Sequence, residues 1–125
     1  MRHGCTTLTL LAGLALGGPA PVQAGGAKPT PPGQVRFFET SIRPLLAEHC
    51  YRCHGPDRQK AGLRLDSGEG LLRGGDSGAP PVVAGRPEES LLIRAVGYQD
   101  DALKMPPKQR LSDRQVADLT RWVQM

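Results

Sequence analysis

The chain has 125 residues, of which 38% are hydrophobic and only 4% are aromatic. This length bounds the protein to one domain, and the composition excludes a large enzyme, a coiled coil and a multi-pass membrane protein. With 16 glycines and 12 prolines the chain is rich in loops and has few large side chains for a core. Something besides side chains is therefore expected to help fill its centre. The net charge of +4 is spread along the chain with no basic tract, which argues against a nucleic-acid partner.

The N-terminus, residues 1–24, has the pattern of a secretory signal peptide. Arg2 and His3 form a short basic start, and Cys5–Leu16 is a mostly apolar stretch that is too short to span a bilayer. The small-residue site at 22–24 predicts cleavage after Ala24. We therefore expect a periplasmic or secreted protein, with an uncleaved membrane anchor as the alternative. No other segment of the sequence is apolar enough to span a membrane.

Residues 25–34 form a linker rich in proline and glycine, which we expect to be extended and mobile. The folded domain is predicted to cover residues 35–125. Apolar side chains recur with helical spacing from residue 38 to residue 46. Pro44 interrupts this pattern, so either the helix kinks there or two short helices meet.

The middle of the chain predicts short elements separated by loops. Lys60–Asp66 alternates apolar and polar residues, which is typical of a short strand or extended segment. The next segment, Asp66–Arg73, is predicted to form a short helix with Asp66 as its cap and Glu69 three residues later. Residues 74–85 are predicted to be a loop from their composition.

Two further helices are predicted in the second half of the chain. Arg86–Val96 has proline at its first helical position, followed by two glutamates that complement the helix dipole. Residues 100–110 are expected to be irregular, because adjacent prolines forbid a continuous helix. Leu111–Val123 gives the clearest helical pattern, with Ser112 and Gln115 spaced as in a capping box.

The segment Cys50-Tyr51-Arg52-Cys53-His54 has the C-x-x-C-H pattern that attaches c-type haem. The two thiols add across the two haem vinyl groups, and their spacing lets both sulfurs lie along one edge of the macrocycle. His54 follows the second thioether position and is held under the iron as the proximal ligand. We therefore predict one covalently bound haem c, whose attachment outside the cytoplasm agrees with the signal peptide.

Other uses of Cys50 and Cys53 fit the sequence less well. A redox-active C-x-x-C needs a thioredoxin-like strand–helix unit before it, but the preceding stretch is a helix with a proline. A zinc site needs four ligands, and the cysteines and histidines from His49 to His54 are too crowded to supply them. A disulfide here would close too short a loop to stabilise the chain.

A second axial ligand is predicted at Met105, although a core residue in a loop is the alternative. Met1 leaves with the signal peptide, His49 lies beside a thioether cysteine, and Met125 ends the chain. Two prolines after Met105 stiffen its loop. Ligation by histidine and methionine raises the reduction potential and fills the coordination sphere. This favours electron transfer over oxygen or peroxide chemistry.

Taken together, these motifs resemble the Planctomycete-type cytochrome c domain. They are, in chain order, Phe37-Phe38-Glu39, Arg43 to Pro56, Gly62 to Asp66, Gly74 to Gly78, Pro87 to Leu92, Lys104 to Pro107 and Leu111 to Asp113. The resemblance implies an all-α, class I-like cytochrome c fold, in which the N- and C-terminal helices cross and haem lies in the cleft. It also implies that Cys50 and Cys53 carry the thioethers, with His54 as proximal and Met105 as distal iron ligand.

The sequence thus predicts an exported one-electron carrier that is not an enzyme, is a monomer and has an unidentified redox partner. If Met105 is not a ligand, the alternative is a haem enzyme or sensor with an open axial position. Members of the family usually carry the domain at the head of a longer exported protein, so a redox module of such a protein is a further alternative. We also expect Phe37 or Phe38 to contact Trp122 where the terminal helices cross, and the chain without haem to be largely disordered.

Overall fold

The computed structural model describes residues 29–125, so the predicted signal peptide and the first part of the predicted linker lie outside the described residues. The α-helices of the described range are α1 Pro32–Phe37, α2 Arg43–His49, α3 Tyr51–His54, α4 Gly68–Arg73, α5 Leu91–Val96 and α6 Asp113–Gln124. Residues 29–125 contain no strand, only one isolated bridge between His54 and Gln59. The prediction of an all-α fold with short helices and long loops is confirmed. None of these helices has the combined length and apolar character that a membrane crossing needs.

The first helical region begins at Pro32, before the predicted start of the domain. A proline fits the first turn of a helix because its missing N–H would have no partner there. The helix then continues through a π-helical turn, Phe38–Ile42, into α2. The Arg43 N–H donates to the Phe38 carbonyl, five residues back. This wider turn directly precedes Pro44, and the helical backbone continues past the proline. Of the two predicted alternatives, that of two separate helices is therefore absent.

Of the two alternatives predicted for Lys60–Asp66, the strand is absent and the extended segment is present from Leu63 onward. Lys60–Gly62 forms a 3₁₀ turn, and Ala61 has a φ of +52°. The extended residues that follow have no neighbouring strand. Instead, the Leu65 N–H donates to the His54 carbonyl at 2.8 Å, which ties this segment to the end of α3.

Helix α4 is present as predicted, but its cap is Ser67 and not Asp66. The Ser67 hydroxyl accepts a hydrogen bond from the Gly70 N–H at 3.1 Å. The Asp66 carboxylate instead pairs with the Arg64 guanidinium. The Asp66 carboxylate forms a strong ion pair with a neighbour in the chain and therefore does not cap the helix. Residues 74–85 form a loop, as predicted.

The helix predicted at Arg86–Val96 is interrupted at Ser90. A 3₁₀ turn covers Pro87–Glu89, Ser90 has an extended ψ of 119°, and α5 begins at the next residue. Ser90 is fully buried. Its hydroxyl accepts from the Val83 N–H at 2.8 Å and donates to the Arg86 carbonyl at 2.9 Å. The buried hydroxyl therefore joins the long loop to the start of α5.

Ser90→Ala is expected to lower the free energy of unfolding by about 1–3 kcal/mol, because it leaves the half-buried Val83 N–H without a partner. Denaturant unfolding of the purified protein measures this change. Thr120→Ala is the control, since the Thr120 hydroxyl only donates to the Val116 carbonyl within its own helix. A change at Ser90 no larger than that of the control would contradict the prediction.

Helix α6 and its capping box agree with the prediction. The Ser112 hydroxyl accepts from the Gln115 N–H, and the Gln115 side chain accepts from the Ser112 N–H. At the other end of α6, the Trp122 ring packs on Phe38 with 5.5 Å between ring centres, so the expected aromatic contact is confirmed. Phe37 instead lies under the Arg121 guanidinium.

The hydrophobic core is small and mainly aliphatic. Its most buried members come from the first helical region, α5 and α6, namely Ile42, Leu45, Leu46, Leu92, Val96, Leu119 and Val123. The aromatic pair of Phe38 and Trp122 packs against this core only partly buried. These helices form the core, and a cavity lies between them and the long loops.

Candidate functional site

Beside the core lies an open, mostly apolar cavity of about 280 Å³. Five parts of the chain form its wall: the end of α2 with α3, the segment 60–65, the loop 75–81, α5 and the loop 103–107. The side chains of the wall are apolar apart from two cysteines, two histidines, one lysine and one serine. A cavity of this kind, with a few polar groups in an apolar wall, suits a flat and largely apolar cofactor.

Both predicted thioether cysteines line this cavity. Cys50 ends α2 and Cys53 lies one helical turn later in α3, so their side chains fall on one face of the chain. Cys50 is buried and Cys53 is half-buried, and both are free thiols. Burial, with a smaller contribution from Cys53, raises the pKa of the Cys50 thiol to about 11. A redox-active cysteine needs a lowered pKa instead, so the environment of Cys50 argues against that alternative.

The predicted proximal ligand, His54, also lines the cavity. Its Nδ1 atom is buried and has no hydrogen-bond partner. Among the side-chain N and O atoms of residues 29–125, no other buried atom lacks a partner. The backbone of His54 is well held, because its carbonyl accepts from the Leu65 N–H. A buried polar atom without a partner costs free energy, so the protein alone satisfies this imidazole poorly. Two thiols on one face, an unsatisfied imidazole and an apolar wall fit a c-type haem.

Met105 lies in the same cavity wall, together with the two prolines that follow it. It is half-buried, and its N–H donates to the Ala95 carbonyl of α5 at 3.1 Å. The structure therefore brings the four predicted site residues to one cavity. Met125 is 43% exposed and does not line this cavity. That His54 and Met105 bind iron stays a prediction.

His49 also lines the cavity, and α6 holds it in place. The Gln115 Oε1 accepts from the Ser112 N–H at 2.9 Å, which leaves the Gln115 amide nitrogen, Nε2, to face His49. Since that amide nitrogen is a donor, the His49 Nε2 atom 3.2 Å away must accept. Gln115 therefore caps α6 and also orients His49, a second role that the sequence pattern did not reveal.

Another part of the cavity wall is formed by a close contact between two loops. The sequence did not predict this contact. The Asp76 N–H donates to the Ala61 carbonyl at 2.8 Å. A Cβ atom on Gly75 would lie only 2.2 Å from that carbonyl oxygen, so glycine is required at this position. The two adjacent glycines at 74 and 75 were the available signal, but the sequence does not say which loop comes close to them.

An ion pair supports the segment that connects His54 to α4. Arg64 binds Asp66 through two hydrogen bonds, Nε to Oδ1 at 3.0 Å and Nη2 to Oδ2 at 2.6 Å. Arg64 lowers the pKa of the Asp66 carboxyl below its ordinary value of 3.8, chiefly because its guanidinium donates these hydrogen bonds to the carboxylate. Leu65, between the two charged residues, is buried in the cavity wall.

The lowered pKa of Asp66 predicts a specific acid sensitivity. The ionised carboxylate stabilises the fold above pH 3.8, and this contribution is lost as the pH falls through the lowered pKa. Asp66→Asn is therefore expected to be less stable than the wild type at neutral pH and to lose less stability on acidification. Denaturant midpoints across this pH range measure the difference.

Asp57→Asn is the control for this prediction, because it removes the same charge and Asp57 belongs to none of the ion pairs of residues 29–125. Its curve is expected to follow that of the wild type. Parallel curves for the wild type and Asp66→Asn would show that Asp66 contributes nothing to the acid response.

The comparison with known families agrees with this site. Residues 50–109 match the family model described as Planctomycete cytochrome C. The matched segment contains Cys50, Cys53, His54 and Met105, and the resemblance predicted from the sequence is confirmed. No curated protein and no solved structure matches the chain significantly.

Proposed function

From the match of residues 50–109 to the Planctomycete cytochrome C family, we propose that this protein is an exported c-type cytochrome that carries single electrons. The observation that supports the proposal best is the grouping of Cys50, Cys53, His54 and Met105 around one apolar cavity. A haem c held there supplies a one-electron couple between ferric and ferrous iron.

Cys50 and Cys53 would hold the haem covalently. Each sulfur bonds to one carbon of a vinyl group and the thiol hydrogen goes to the other carbon, so nothing is released. His54, directly after Cys53, and Met105 would be the residues of the chain that hold the iron. If both bind it, no position would be left for substrate or dioxygen, so the protein would transfer electrons without catalysing a reaction.

The apolar wall would favour the reduced state of the iron. Leu63, Leu65, Leu92 and Val96 present only hydrocarbon to the cavity. In a medium of low polarity the extra positive charge of ferric iron is disfavoured, which raises the reduction potential. The same wall would limit the access of water to the iron. The partners would be redox proteins that approach an exposed edge of the haem, with the carrier acting as a monomer.

The test is to produce the full chain in a bacterial host that has a cytochrome c maturation system. The exported protein is then denatured in alkaline pyridine and reduced, and its spectrum distinguishes haem with two thioethers from free haem. We expect one haem for each chain and a reversible one-electron titration. A chain without residues 1–24, kept in the cytoplasm of the same host, is the control and should contain no covalent haem. A colourless exported protein that is already compact would refute the proposal.

A further inference from the structure

Tyr98 lies in a backbone conformation that tyrosine rarely adopts. It follows α5, and its φ is +57°, in the left-handed region where the Cβ of an L-residue comes too close to the next carbonyl. Glycine is the usual residue at this point after a helix. Here Gly97 comes one position earlier and has an ordinary helical φ of −72°. A tyrosine kept in this conformation indicates a use for its side chain.

The side chain of Tyr98 contacts the loop that contains Met105. Its hydroxyl donates a hydrogen bond to the carbonyl of Pro106, the residue directly after Met105. The Met105 N–H donates to the Ala95 carbonyl at 3.1 Å. The backbone is therefore fixed immediately before and immediately after the Met105 side chain, in both cases by α5 or the residues that end it. The Arg110 guanidinium lies 5.9 Å from the centre of the Tyr98 ring and covers it.

We propose that Tyr98 is a positioning residue that keeps the thioether of Met105 at the iron. This inference rests on the proposed function, because it concerns iron binding by Met105. A methionine side chain is unbranched and flexible, so its own rotamers do not fix the sulfur. The backbone on either side of it must do so. Without the Tyr98 hydroxyl, the Pro106 carbonyl loses its partner, and the loop moves the sulfur away from the iron more often.

Because the backbone of Tyr98 is left-handed, two variants can separate the positioning of Met105 from a contribution of Tyr98 to the stability of the fold. Tyr98→Phe keeps the ring and the backbone conformation and removes only the hydroxyl. Tyr98→Gly removes the side chain but relieves the backbone, since glycine adopts a positive φ without cost. A residue that only stabilised the fold would not loosen the iron–sulfur bond in a glycine variant that remains stably folded.

The experiment uses the haem-loaded ferric protein and added imidazole, which displaces a weakly held thioether. Thioether-bound ferric haem has a weak charge-transfer absorption at long wavelength, and its loss is followed by stopped flow. Removal of one hydrogen bond is expected to raise the displacement rate about fivefold in Tyr98→Phe, and at least as much in Tyr98→Gly. Ser67→Ala also removes one side-chain hydrogen bond, that to the Gly70 N–H, but far from Met105 in sequence and outside the cavity wall. Its displacement rate should equal that of the wild type.

The outcomes distinguish this inference from the proposed function. If the absorption is present in the wild type and Tyr98→Phe gives the wild-type displacement rate, the role of Tyr98 is refuted and Met105 remains the ligand. The same holds if Tyr98→Gly is as slow as the wild type. If the wild type lacks the absorption and binds imidazole at once, Met105 is not a ligand, and both this inference and the proposed His/Met ligation are refuted.

Discussion

The double variant Cys50→Ser with Cys53→Ser is expected to contain no covalent haem and to lose its fold. Serine cannot form the thioether, so no haem would be bonded to the chain and the cavity would remain unfilled. Full burial of one large aliphatic side chain is worth about 1.5–3 kcal/mol, so exposing several of those in the cavity wall to water costs on the order of 5 kcal/mol. This is comparable to the whole stability of a small domain, about 5–15 kcal/mol. The aliphatic core of this chain is too small to compensate for such a loss.

Haem staining after denaturing electrophoresis measures the covalent attachment, and circular dichroism with limited proteolysis measures the fold. Cys5→Ser is the matched control, because it makes the same chemical change in the predicted signal peptide. It is expected to leave the haem content of each exported chain unchanged. A double variant at Cys50 and Cys53 that is folded and fully coloured would contradict the prediction, and so would a colourless variant with native protease resistance.

The elements that the sequence predicted well are those whose signals are local. The capping box of Ser112 and Gln115 and the helix after it need only neighbouring residues to form, and both are present as predicted. The contact of Phe38 with Trp122 followed from the resemblance, which implied that the terminal helices cross. The C-x-x-C-H motif is likewise local, and the structure places its cysteines and histidine in one cavity wall, while their bonds to haem stay a prediction.

The errors in the sequence analysis arose where a distant or competing contact decides the local structure. Ser90 interrupts a helical pattern because its buried hydroxyl binds Val83 across a loop. Asp66 does not cap α4 because Arg64 binds its carboxylate more strongly. The alternation of Lys60–Asp66 is a true extended pattern, but its partner is the His54 carbonyl and not a strand. None of these partners is identified by the spacing of residues along the chain.

The candidate site shows the same difference between local and distant signals. Met105 was selected by eliminating other ligands, and the structure places it in the cavity wall with the haem motif. The contact of Tyr98 with the adjacent Pro106 carbonyl could not be predicted. It depends on a left-handed backbone at Tyr98, and the preceding Gly97 is the residue at which the sequence would suggest such a turn.

Met105→Leu is expected to open the iron to external ligands and to lower the reduction potential. Leucine fills a similar volume, so the apolar wall and the fold should be retained, but it has no atom that binds iron. In the wild type, cyanide or carbon monoxide must wait for the sulfur to leave. Each 1.4 kcal/mol of iron–sulfur bonding slows this step about tenfold, so binding should be at least about tenfold faster in Met105→Leu. Loss of a thioether ligand also removes its preference for ferrous iron, so the potential should fall.

Rapid-mixing spectroscopy with cyanide, together with a potentiometric titration, measures both effects on the haem-loaded protein. Met125→Leu makes the same change at an exposed position outside the cavity wall, and both its binding rate and its potential should equal those of the wild type. If cyanide binds the wild type as fast as Met105→Leu, the iron already has an open position. The protein would then be a haem enzyme or sensor. A filled coordination sphere is the physical basis for assigning pure electron transfer, so this single comparison of binding rates decides between the two functions.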